Sequence, residues 1–131
     1  MATLNTLPPK LDLVVYAGDD TRIQMDFVSG SVAYDFIGTL SAQIRELDTS
    51  TTSYAVTVTE DPVVTGRLFL VIPSETSEAL IALGSMASKY IGDELVTATM
   101  WSGKWDLQIA NGTDVKTLVF GNVVVVGEIT K

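Results

Sequence analysis

From residue 11 onward, apolar and polar residues alternate with a period of two. Leu11, Leu13 and Val15 fall on one face. After Gly18-Asp19-Asp20, the side chains of Ile23, Met25 and Phe27 point one way and those of Arg22, Gln24 and Asp26 the other. The same alternation sets Leu40, Ala42 and Ile44 against Ser41, Gln43 and Arg45, and it recurs at Tyr54-Val56-Val58, Leu68-Leu70-Ile72 and Trp105-Leu107-Ile109. Successive side chains of a strand point to opposite sides, so this is the pattern of strands with one wet and one dry face. Asn111-Gly112-Thr113-Asp114 lies between two apolar runs and predicts a hairpin. The last strands are predicted over 116–120 and 123–129, with Gly121-Asn122 between them as a bulge or tight turn.

One segment breaks the rhythm. Ser74 is a good N-cap, Glu75 and Glu78 sit where a helix dipole favours anions, and Thr76, Ala79, Leu80 and Leu83 share a helical face. Gly84 supplies a stop. The segment 84–99 reads two ways: Met86, Tyr90 and Ile91 could continue the helix, whereas Leu95, Thr97 and Thr99 look strand-like. Short strands at intervals of about ten residues predict an all-β fold, an antiparallel β-sandwich of about eight strands with one short helix near 74–83. A small closed barrel is the alternative. Pro8-Pro9 forces an extended path, so residues 1–10 read as an arm and 11–131 as a single domain.

Composition narrows the chemistry. The chain has 131 residues, no cysteine and no histidine. That excludes disulfides, thiol nucleophiles, imidazole ligands and His-dependent triads. Acids outnumber bases 16 to 8, giving a net charge of −8. The bases are Lys10, Arg22, Arg45, Arg67, Lys89, Lys104, Lys116 and Lys131, no two adjacent. Phosphate neutralisation needs clustered cations, so neither nucleic acid nor an anionic membrane is an expected partner. No run approaches the roughly 20 apolar residues of a membrane span. The first ten residues lack a signal-peptide pattern, so synthesis in a cytoplasm is expected, and Asn111-Gly112-Thr113 reads as turn chemistry rather than a glycosylation site. Hydrophobic residues make up 47% and charged residues only 18%, which suggests that some apolar surface is covered by a partner.

Candidate sites are few. Tyr16-Ala17-Gly18-Asp19-Asp20 could be a cation loop, but it lacks the spacing of an EF-hand, and a turn is the simpler account. Asp19, Asp20, Glu60, Asp61, Asp93, Glu94 and Asp106 could supply a carboxylate pair for glycoside hydrolysis, yet no spacing selects one. Trp101 and Trp105 share a face if they lie in one strand; Trp105 is expected to plug the core, and Trp101, beside Ser102-Gly103, to be partly exposed. Val123-Val124-Val125-Val126 is apolar on both faces, which predicts a strand covered on both sides by a helix or a neighbouring subunit.

The order of motifs resembles a known group. The Tyr16–Asp20 turn is followed by Tyr34-Asp35-Phe36-Ile37-Gly38-Thr39-Leu40, Gly66-Arg67-Leu68, Pro73-Ser74-Glu75-Thr76, Lys104-Trp105-Asp106-Leu107-Gln108 and a closing Glu128-Ile129-Thr130. This resembles the small β-sandwich domains of minor capsid and minor tail proteins of tailed bacteriophages of actinobacteria, a layout also found at the N-terminus of baseplate subunits. The resemblance spans residues 11–131 and implies a non-enzymatic virion protein without catalytic residues, cofactor or metal. A charge of −8 disfavours contact with packaged genome, and a sandwich with an arm and no appended fibre suits capsid decoration. The expected partners are the major capsid protein or other virion proteins and further copies of the chain, on the capsid exterior or the tail. The expected assembly residues are Leu4, Leu7, Pro8, Pro9, Met86, Tyr90, Trp101, Val124 and Val126. A minor tail or baseplate subunit, or a virion carbohydrate-binding module using Trp101, are the alternatives.

Overall fold

The computed structural model describes residues 9–29, 31–46 and 54–127. Leu4, Leu7, Pro8 and most of the expected arm therefore lie outside the described residues. The chain forms β1 (Leu13–Tyr16), β2 (Thr21–Asp26), β3 (Val28–Ser29), β4 (Val32–Ala33), β5 (Thr39–Arg45), β6 (Tyr54–Glu60) and β7 (Arg67–Ile72), then helix α1 (Ser74–Ile81), β8 (Ser85–Ile91), β9 (Glu94–Asn111) and β10 (Asp114–Val126). Eight strands form one sheet in the order β1-β10-β9-β5-β6-β7-β2, with β8 attached to β9 and β3-β4 a separate ribbon.

The fold is all-β with one short helix. Its packed layers are parts of one continuous sheet, curled until it is nearly closed like a barrel. The alternating faces account for this. Leu13 and Val15, Met25, Ala42 and Ile44, Leu68, Leu70 and Ile72, Trp105, Leu107 and Ile109, and Val123 and Val125 all turn into a single core. Burying such side chains contributes on the order of 2 kcal/mol each. One pair departs from the antiparallel expectation: β1 runs parallel to β10, with Leu13 opposite Val123 and Tyr16 opposite Val126.

The two longest strands owe their length to hairpin chemistry. Ile91 pairs with Glu94 and Asn111 with Asp114, so each hairpin has a two-residue loop. Gly92 (φ 67°) and Gly112 (φ 64°) take the left-handed first position, the pattern of a type II′ turn that matches strand twist. β10 is continuous through Gly121-Asn122, and its irregularity falls instead between Thr117 and Val119.

Helix α1 ends at Ile81, so Leu83 lies beyond it and is exposed; Leu80 and Ser77 are the buried helical residues. Ser74 is not the cap. Pro73 occupies that position without a side-chain cap, and the Ser74 amide donates to Asp20 Oδ1 at 2.8 Å. Ser77 Oγ accepts from the Gly18 amide at 3.1 Å and donates to the Ser74 carbonyl at 2.9 Å. The Gly-Asp-Asp turn is thus a remote cap that ties α1 to the β1-β2 connection. Asp20→Ala is expected to cost about 1 kcal/mol, the usual worth of such a cap, read by urea unfolding with and without calcium. A calcium-dependent gain in the native protein would restore the cation-loop reading.

Just before β1 the ladder is modified. Lys10 bridges to Phe120, the Leu11 amide donates to the Phe120 carbonyl at 2.8 Å, and the Phe120 amide donates to the Pro9 carbonyl at 3.2 Å. Regular parallel pairing would then give the Leu11 carbonyl the Asn122 amide. Instead that amide donates to Asp12 Oδ1 at 2.9 Å. The diverted Leu11 carbonyl accepts from the indole Nε1 of Trp105 at 2.7 Å. A Cβ at Gly121 would overlap the same carbonyl oxygen, so glycine is required by a close backbone approach rather than by a turn.

Candidate assembly surface

Strand β9 outruns its neighbours. Residues 100–111 pair with β10 and 104–110 with β5, whereas 94–100 pair with β8. Among the described residues, 94–99 have β8 as their only strand partner. The segment 84–99, ambiguous between helix and strand in sequence, is therefore a two-stranded ribbon attached to the end of the sheet.

The ribbon has two unlike faces. On one, Ala87, Ile91, Val96, Ala98 and Met100 join Val124 and Val126 in a small second core. On the other, Met86 pairs with Thr99, Ser88 with Thr97 and Tyr90 with Leu95. Here Tyr90 is 73% exposed, Met86 68% and Leu95 56%. The hydroxyls of Ser88 and Thr97 bond to each other at 2.7 Å, and Thr99 Oγ1 donates to Met86 Sδ at 3.6 Å. The hydroxyls of Ser88, Thr97 and Thr99 are thus paired, and the large apolar groups of this face stand open.

The expected assembly residues divide accordingly. Met86 and Tyr90 lie together on the open face, and Pro9 is exposed beside Phe120, in the middle of β10. Val124 is half-buried. Two expectations are corrected. Val126 is fully buried within the chain, because the ribbon itself covers the outer face of β10. Trp101 is buried at 5% and packs edge-on against Tyr54, with ring centroids 6.3 Å apart. A Cβ at Gly103 would overlap the Trp101 ring, so the glycine makes room for an inward tryptophan. Trp101 offers no platform to a sugar. Leu95 joins the open face through its pairing with Tyr90.

Several acids are engaged in structure. Asp61 Oδ1 accepts from the Val63 and Val64 amides at 2.8 and 3.2 Å, and these bonds hold its carboxyl below the ordinary range. Asp26 forms an ion pair with Arg67 at 2.8 Å, and the Arg67 hydrogen bond lowers its pKa. No group of three or more potential metal-ligating side chains occurs among the described residues.

A second surface was hidden in the sequence. Lys10, Arg45 and Lys104, scattered along the chain, line one depression of about 320 Å³ on β5, β9 and β10. Only the strand register brings them together: Asn122 pairs with Lys104, and Lys104 with Arg45.

No protein-family model matches the sequence, and no curated protein matches it.

Proposed function

We propose that the protein is a non-enzymatic structural component of a bacteriophage virion, bound to the outer capsid shell through the open face of the β8-β9 ribbon. The observation that carries this reading is the exposed group Met86, Tyr90 and Leu95. These side chains sit on the face opposite the second core, so the fold does not use them for packing. Aromatic and methionine side chains are enriched where protein surfaces meet. The motif order described above supplies the virion context, and the net charge of −8 favours a position away from packaged genome.

The test uses shells assembled without this protein. The triple variant Met86→Ser, Tyr90→Ser, Leu95→Ser should keep its circular dichroism and melting temperature within a few degrees. Its binding to the shells should fall at least tenfold, since each truncated anchor costs about 1–2 kcal/mol. Undiminished binding by a folded triple variant would sink the ribbon as the attachment face. A few copies located on tails, rather than many on shells, would replace decoration by a minor tail role.

A further inference from the structure

We propose that the depression formed by Lys10, Arg45 and Lys104 is a binding site for organic carboxylates. Arg45 and Lys104 are direct cross-strand partners on the outward face of β5 and β9, opposite the buried pair Ile44 and Trp105. Like charges in directly opposed positions destabilise a sheet. In a chain with twice as many acids as bases, a carboxylate in one of these positions would have served the fold better.

The two cations turn away from each other. The Arg45 guanidinium donates through Nη2 to Gln43 Oε1, and Lys104 Nζ donates to Asn122 Oδ1 at 2.6 Å. Neutral amides thus receive them, and their charges are left uncompensated by those bonds. Because the oxygen of each amide is already used, Gln43 and Asn122 retain N–H groups to offer. The Nε of Arg45 is buried and has no acceptor among the described residues, a costly condition for a charged donor. Lys10 adds a third cation on the same rim. Among the described residues that line it, Asp106 is the one acid, and it is itself engaged in an interaction.

The site is therefore rich in donors and carries an excess of positive charge. The half-exposed ring of Phe120 forms an apolar wall beside it. Cations next to an apolar wall suit a carboxylate on a short carbon stem: a free dicarboxylic acid, or the acidic side chains of a polypeptide partner. A planar guanidinium favours the carboxylate fork.

Titration calorimetry at low salt would use glutarate in one arm and an acidic peptide, acetyl-Glu-Phe-Glu-amide, in the other. The expected result is millimolar or tighter binding that weakens as salt is raised. Binding of glutarate as tightly as peptide identifies a free-acid site, and binding of peptide alone identifies a partner segment; both support the carboxylate assignment. The double variant Arg45→Gln, Lys104→Gln should bind at least tenfold more weakly while the unliganded protein melts no lower than the native one, because the opposed charges are gone. Absence of binding in both arms would overturn the proposal. So would retention of a single-stranded oligonucleotide at this site in place of the peptide, or a variant that loses stability but keeps its affinity.

Discussion

Trp105→Ala is expected to lower the free energy of unfolding by about 3–5 kcal/mol, the range for truncating a buried large aromatic. The indole is 3% exposed in the main core, so the cavity it leaves is enclosed by strands that cannot collapse freely. A second cost is polar. The Leu11 carbonyl has given up its place in the ladder to Asp12 and depends on the indole N–H. Trp105→Phe isolates that cost: the ring volume is largely kept and the donor lost, for about 1–3 kcal/mol. Urea unfolding followed by far-ultraviolet circular dichroism reads both. If Trp105→Phe were neutral, the Leu11 carbonyl would have another partner, and the account of the diverted ladder would be wrong.

Gly121→Ala should be nearly as damaging, about 3 kcal/mol, at the upper end for overpacking. A single methyl would overlap the Leu11 carbonyl oxygen, a backbone atom that no rotamer change can move aside. Relief requires residues 9–12 to lift from β10, losing the bonds from Leu11, Phe120 and Asn122. Gly121 and Trp105 are cross-strand partners that act on the same oxygen. Their effects should therefore not add. Once Gly121→Ala has displaced Leu11, Trp105→Phe has little left to remove, and a double-mutant cycle should show about 1 kcal/mol of coupling. Strict additivity would mean that the two residues serve separate ends.

Much of the fold was legible because two-sided alternation reports directly on burial. The inward sets Leu68-Leu70-Ile72 and Trp105-Leu107-Ile109 are read from spacing alone, and the hairpin at 111–114 from its turn residues. The misreadings share a cause. Trp101, beside Ser102-Gly103, reads as partly exposed, although four-residue spacing from Trp105 already places it on the inner face. The glycine serves the tryptophan's ring, a contact that spacing cannot express. Val126 looked like a surface for another subunit because what covers it is a ribbon whose own sequence is ambiguous. The helix cap was assigned to Ser74 when the acceptor is Asp20, distant in sequence. The basic depression is the extreme case. Lys10, Arg45 and Lys104 become neighbours only through the register of strands far apart in the chain, and no local pattern encodes that register.

The parallel pairing of β1 with β10 also constrains the order of events during synthesis. Asp12 and Asn122 are separated by 110 positions, and among the described residues β1 has no strand partner but β10, which is synthesised long after it. Strands β3 to β9 can pair with near neighbours as they appear and β2 waits for β7, but β1 must wait longest. Closing so large a loop comes late and slowly. Until then its apolar residues Leu13 and Val15, destined for the core, remain open to solvent or to a chaperone. A translation pause between β9 and β10 would lengthen that exposure, and the nascent chain would be most vulnerable to aggregation at β1.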